Sequence, residues 1–246
     1  MTLPLVEVFH PHTPYEAWTR RKLTPDEVRD ATRRAGRPVF EVDDHLVARI
    51  TSPLQAARHV ARVGVDNDID HFVNDRLDVD VARRAWQARM PSRTPRELTR
   101  YQHTYDKCDL AAVDRLINAV GAPLSAGQVL FHCGLWPANT PQQVCTRPLS
   151  TTFCPQVALL NALYRAKAYD ANRVDLCVLH VRSPQTRVFV YRRKGTKFGH
   201  ENEVLLASGA TLRLRKQDLI RSKLSVSQVG APNKRVPVYV LQVDCD

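Results

Sequence analysis

The chain has 246 residues, 43% of them hydrophobic, and a formal net charge of +11. That length suits one large domain or two small ones, and it can bury a core without disulfide staples. No apolar run approaches the roughly 18 residues that a membrane-spanning helix needs, and the opening Met1-Thr2-Leu3-Pro4-Leu5 has neither the basic nor the apolar region of a Sec-type signal peptide.

The charge is unevenly placed. Residues 1–126 hold 19 Lys+Arg and 18 Asp+Glu, whereas residues 127–246 hold 17 and 7. The basic excess therefore belongs to the second half, which points to an acidic partner or a phosphate-bearing substrate there. A solvated basic surface is the plainer alternative. The six cysteines (108, 133, 145, 154, 177 and 245) include no C-x-x-C pair, and no zinc-like Cys/His spacing or H-E-x-x-H occurs. They read as free thiols, mostly core, in a reducing compartment, and no metal site is expected.

In chain order, Thr24-Pro25-Asp26-Glu27 is a capping box with proline at the first helical position. It predicts a helix to Ala35, closed by Gly36. A short extended piece follows at 38–42. Ser52-Pro53 opens a helix to Val63 that places Ala56, Ala57, Val60 and Ala61 on one side. Another helix is expected from Val79 to Met90, stopped by Pro91. Thr94-Pro95-Arg96-Glu97 repeats the capping-box pattern and starts a helix through Asp106. Leu110, Val113, Leu116, Ile117 and Val120 have helical spacing, and Gly121 ends that helix.

The period changes at Gln128. Strands are expected at 129–131, 151–153, 175–181, 187–191, 203–206, 210–215 and 237–243, with one helix at 157–167. Ser208-Gly209 reads as a hairpin turn between the strands on either side of it. Many short strands after a helical layer make an α+β protein. The division falls into residues 1–94, a helical region able to bind a target, and 95–246, a core that carries chemistry.

Three segments of the second half carry that chemistry. They are Val129-Leu-Phe-His-Cys-Gly134, Ser150-Thr151-Thr152-Phe153, and Glu201-Asn202-Glu203-Val-Leu-Leu206. Taken singly, each is ordinary: alternating acids usually form a solvated edge, and Ser/Thr runs are common in strands. Together and in this order, they resemble the mono-ADP-ribosyltransferases of the clade named for its Arg-Ser-Glu triad, over about residues 95–246. The chain departs from that pattern at His132, which stands where the clade has Arg, and at Thr152, which stands where it has Ser. The resemblance implies a split β-sandwich core and an enzyme that consumes NAD.

Through that resemblance Glu203 is the catalytic glutamate and Ser150 fixes its rotamer. Glu201 lies two residues earlier, so on an extended backbone it points to the same face and can deprotonate an acceptor. His132, Cys133, Gly134, Thr151 and Thr152 become the NAD-binding set. His132 would donate to a ribose hydroxyl or face a phosphate, and backbone groups at Cys133-Gly134 would hold the nicotinamide amide. Phe153 is the expected stacking platform, with Trp136 second. Arg147 would replace the missing Arg of the first motif by reaching the NAD pyrophosphate.

The basic residues Arg192, Arg193, Lys194 and Lys197 fall on the loop that meets the acceptor in the resembling family. The architecture is similar to bacterial effectors delivered into host cytoplasm by a specialised secretion system. It is similar in particular to the Chromobacterium-type group that modifies a threonine of ubiquitin. A host protein, with ubiquitin the named candidate, is thus the expected acceptor. Transfer to nucleic acid is the second reading, resting on the basic second half. A degenerate, non-enzymatic basic binding module is the third.

Overall fold

The computed structural model describes residues 2–183, 185–193 and 196–246. The chain divides into two compact units, Phe9–Ser52 and the remainder. The helices that precede the strands belong to the larger unit.

The smaller unit is a hairpin around a helix. Strand β1 (Tyr15–Lys22) pairs antiparallel with β2 (Glu41–Ile50), from Tyr15 opposite Ile50 to Lys22 opposite Glu41. Helix α1 (Pro25–Ala35) lies between them in sequence. Its capping box forms as expected: the Glu27 N–H donates to Thr24 Oγ1, and the Thr24 N–H donates to Glu27 Oε2 at 2.9 Å. Gly36 takes the left-handed conformation at φ +66°. Strand β1 was not expected, and β2 begins in the extended piece expected at 38–42 and runs on to Ile50. Their sequences mix charges with β-branched residues, without the clean alternation that would have marked them.

The larger unit begins with helices α2 (Pro53–Val63), α3 (Asn67–Val79), α4 (Val81–Arg89), α5 (Arg96–His103) and α6 (Leu110–Val120). Helix α2 buries Ala56, Ala57, Val60 and Ala61, as its spacing predicts. Helix α3 was not expected. Asp66 caps it by accepting from the Asp68 and Ile69 N–H groups, and Ile69, Val73 and Leu77 repeat every fourth residue on its buried side. The capping box expected at Thr94 does not form, because Pro95 occupies the cap position and no side chain bonds there. That helix stops at His103, and a single 3₁₀ turn follows at Tyr105–Lys107. Gly121 does end α6, though not through positive φ. A Cβ there would lie 2.4 Å from the Val188 carbonyl oxygen, so glycine permits a close backbone approach.

The strands are β3 (Ala122–Pro123), β4 (Val129–Cys133), β5 (Gln142–Val144), β6 (Leu149–Thr152), β7 (Val174–Val181), β8 (Arg187–Val190), β9 (Glu203–Leu206), β10 (Thr211–Val226) and β11 (Lys234–Cys245). Among the described residues they form one nine-stranded mixed sheet in the order β3-β8-β9-β6-β4-β7-β11-β10-β5. Among the described strands, only β7 and β11 pair in parallel. The α+β reading holds, and the split is visible in the pairing. Strands β4 and β6 meet at one residue pair, Phe131 opposite Thr152. On either side of that joint the ladders are longer.

The expected hairpin at Ser208-Gly209 is corrected. Strand β9 pairs with β6 and β8, whereas β10 pairs with β11 and β5. Gly209, at φ +93°, thus turns the chain from one half of the sheet to the other. The true hairpin joins β10 to β11. The expected 157–167 helix is also shorter. Helix α7 runs from Pro155 to Leu163, Arg165 and Ala166 then take left-handed conformations (φ 53° and 59°), and α8 (Lys167–Ala171) follows.

Candidate active site

A cleft of about 580 Å³ opens where β4, β6 and β9 meet, and α5 and α7 contribute to its lining. The strand period decides which side chains face it. Thr152 stands opposite Glu203 in the β6–β9 ladder, and Ser150 opposite Leu205. Ser150, Thr152 and Glu203 therefore share one face, and Thr151 takes the other. The Ser150 hydroxyl donates to Glu203 Oε1 at 2.6 Å. The Gln102 amide, from α5, donates to Glu203 Oε2 at 2.8 Å. Both carboxyl oxygens are thus held.

Glu203 is only 5% exposed. Burial pushes its pKa up to about 7, with a smaller upward contribution from Glu201, while the Ser150 and Gln102 bonds oppose the rise. Glu201 reaches the same cleft by a different backbone route from the one expected. It closes a one-turn 3₁₀ helix (Gly199–Glu201), and Asn202 follows in the left-handed region at φ 50°. A tight turn, not an extended strand, brings the two glutamates to one side. Thr152 holds that turn: its hydroxyl donates to the Glu201 carbonyl at 2.6 Å and accepts from the Cys154 N–H at 3.1 Å. Burial raises the Glu201 pKa, and the Lys167 charge tempers the rise.

His132 lines the cleft from β4. Its Nδ1 lies 2.8 Å from the Ser150 carbonyl oxygen, which can only accept, so Nδ1 carries the proton. Burial lowers its pKa, as do the charges of Arg147 and Lys167, against the bond to Ser150. The ring is neutral at pH 7 and offers Nε2 as an acceptor. This corrects the expected donor role. Gly134 is required beside it, because a Cβ there would stand 2.6 Å from His132 Nε2.

Other expected residues are placed as follows. The Gly134 N–H already donates to the Asp175 carbonyl at 3.2 Å, so a ligand amide cannot be met by that group. The Cys133 thiol donates to the same carbonyl at 3.1 Å, and burial holds it well above the usual thiol range. Thr151 is among the residues lining the cleft, and its hydroxyl donates to the Val204 carbonyl at 2.6 Å. Arg147 stands exposed on the rim, bonds the Tyr105 hydroxyl at 2.8 Å and lies over that ring at 5.9 Å. Phe153 is in the core. It packs on Trp86 with centroids 5.3 Å apart and does not line the cleft, so the stacking role is corrected. Trp136 faces a separate cleft with Arg173 and Leu214. Lys194 lies outside the described residues.

The aromatic walls that sequence reasoning missed are Tyr101, Tyr105, Phe131 and Tyr164. Tyr101 and Tyr105 meet edge to face at 5.3 Å. Their i, i+4 spacing was readable, but nothing in residues 96–105 says that this helix faces Glu203. Lys167 and Arg165 reach the cleft through the left-handed break after α7. Among the described residues, no cluster of His, Cys, Asp and Glu could hold a metal ion.

No protein-family model matches the chain, and no curated protein matches it in sequence. Solved structures do. The ADP-ribosyltransferase Vis in complex with agmatine aligns over 76% of this chain and 90% of its own, at 11% identity and a TM-score of 0.44. A further structure of the Vis toxin gives its source as Vibrio splendidus. The C3larvin toxin, an ADP-ribosyltransferase from Paenibacillus larvae, aligns over 66% of this chain and 92% of its own, at 10% identity and 0.37. The enzymatic component C2-I of the C2 toxin from Clostridium botulinum aligns over 65% of this chain and 45% of its own, at 8% identity and 0.38.

Proposed function

We propose that this chain transfers ADP-ribose from NAD to a side chain of another protein. One observation carries the reading: a buried carboxyl, Glu203, is held at both oxygens by Ser150 and Gln102 inside a cleft that Glu201 also lines. A dinucleotide needs a long cleft with basic and aromatic walls, and Arg147, Arg165, Lys167, Tyr101, Tyr105 and Tyr164 supply them here.

The chemistry follows from charge. When the bond between ribose C1′ and the nicotinamide nitrogen breaks, the electron pair leaves with nicotinamide, and positive charge develops on the ribose. A fixed carboxylate beside that ring stabilises the charge without reorganising. Glu203 suits this role because its rotamer is set before substrate enters. Its pKa near 7 is drawn down by the positive nicotinamide ring as NAD binds. An acceptor hydroxyl then attacks C1′, and its proton passes to Glu201, whose raised pKa makes it the better base. His132 Nε2 accepts from a ribose hydroxyl, and the Gly134 carbonyl meets the nicotinamide amide.

Within the same proposal, the chain is an Arg-Ser-Glu-type enzyme with His132 in the Arg position. Its acceptor is a threonine of ubiquitin in a host cell, reached by specialised secretion. The three motifs support the triad assignment, and the acceptor and delivery rest on the resemblance of the architecture alone. The test incubates the purified chain, labelled NAD and a eukaryotic extract, with Glu203→Gln as control. Label should enter a protein, and Glu203→Gln should lose at least about 100-fold in rate. Equal labelling by both proteins, or none by either with no NAD consumed, overturns the reading. Label on proteins other than ubiquitin removes the ubiquitin part alone.

A further inference from the structure

Behind the glutamate segment lies a second cleft, of about 310 Å³, with four arginines in its lining: Arg83, Arg84, Arg192 and Arg193. Asn202 lines it as well, although its neighbours Glu201 and Glu203 line the first cleft. The segment is thus a wall between two cavities, with alternate side chains facing opposite ways. The volume equals about ten water molecules, which is enough for a phosphate or pyrophosphate group and too small for a dinucleotide.

The charges here are poorly compensated. Arg193 pairs with Asp78 at 2.6 Å and donates to the Asn74 carbonyl at 2.8 Å. Arg83 is 2% exposed and donates to the Tyr191 carbonyl at 3.1 Å, but its Nη1 has no hydrogen-bond partner among the described residues. The Nε of Arg192 is also without one. Burial and the nearby Arg193 lower the Arg83 pKa to about 10, and Asp80 only partly opposes them. A buried guanidinium with an unmade bond is costly. Asn202 presents the complementary defect. Its Nδ2 donates to Asn74 Oδ1 at 2.7 Å and to the His200 carbonyl at 3.2 Å, which fixes the amide orientation and leaves Oδ1 buried and unbonded. These unbonded atoms lie beneath the lining, not on its surface, and the surface itself carries the arginine charges against a single carboxylate, Asp78.

We propose that this cleft is an anion site for a phosphate-bearing small molecule, distinct from the proposed NAD cleft. The anion's oxygens accept from the guanidinium groups of the lining arginines, so the site reads charge and planar N–H geometry.

The test is calorimetric titration of the full chain with inorganic phosphate at pH 7 and low salt. It uses an Arg147→Ala/Arg165→Ala/Lys167→Ala background, which removes the three basic side chains of the first cleft. Phosphate should still bind in that background and should raise the unfolding temperature. Arg84→Ala, which removes an exposed side chain, and Arg192→Lys, which keeps the charge but loses the planar N–H, should each weaken phosphate about tenfold. No binding at millimolar phosphate, binding lost with Arg147, Arg165 and Lys167, or binding indifferent to both Arg84→Ala and Arg192→Lys overturns the proposal. None of these readouts depends on NAD turnover, so the site and the proposed enzyme activity stand or fall separately.

Discussion

Gln102 and Glu203 lie 101 positions apart and share a 2.8 Å hydrogen bond between amide nitrogen and carboxyl oxygen. This bond ties the helical part of the larger unit to the first residue of β9. A donor to a carboxylate favours its ionised form. Gln102→Ala should therefore push the Glu203 pKa above its value of about 7. The rising limb of kcat/KM against pH should move to higher pH. Activity should fall about tenfold at pH 7 and recover at alkaline pH. A loss of equal size at every pH would show that Gln102 only supports the fold.

Glu203 also couples stability to pH. Its folded pKa is raised from the ordinary glutamate range to about 7, so between those values the native state binds the extra proton. Stability from this group is full below the unfolded pKa and is lost as pH rises through about 7. Glu203→Gln keeps a neutral side chain at every pH. At pH 8 it should unfold later than wild type, by up to ~3 kcal/mol, while the two should be nearly equal at pH 4.5. Denaturant melts at both pH values check this, and a variant weaker than wild type at pH 8 contradicts it.

Gly134→Ala tests the fit of His132. The added Cβ would meet His132 Nε2 at 2.6 Å, so the ring must move away from the Ser150 carbonyl. Overpacking of this kind costs about 1–3 kcal/mol. NAD should bind more weakly by tenfold or more, as measured by NAD titration of the inactive Glu203→Gln background. Unchanged affinity would remove His132 from the binding site.

Phe153→Leu separates core from stacking platform. Phe153 is buried against Trp86, with Arg83 over its ring at 5.7 Å. The variant should lose about 1–3 kcal/mol of stability, with the KM for NAD unchanged. A KM rise without a change in melting would return Phe153 to the cleft.

Local signals were the readable ones. The α1 capping box, the small-residue face of α2 and the apolar run of β7 each lie in a few adjacent residues, and the structure keeps them. The convergence of His132, Ser150 and Glu203 was legible because three short motifs mark it. Gln102 was not, since nothing near it in sequence records a partner a hundred residues later. The Ser208-Gly209 hairpin failed for the same reason. A turn residue announces a reversal, but strand pairing decides where the chain goes next, and here β9 found β6 and β8. Phe153 follows Thr152 in the motif, yet the chain turns into α7 at that point and carries the ring into the core.

The smaller unit begins and ends at one place. Tyr15, the first residue of β1, stands opposite Ile50, the last of β2, so the chain departs and returns as neighbouring strands. A segment attached through a single doorway can be exchanged for another without redirecting the chain on either side. Residues 9–52 are in this sense a replaceable cassette. Removing or exchanging them as a block cuts no strand of the nine-stranded sheet.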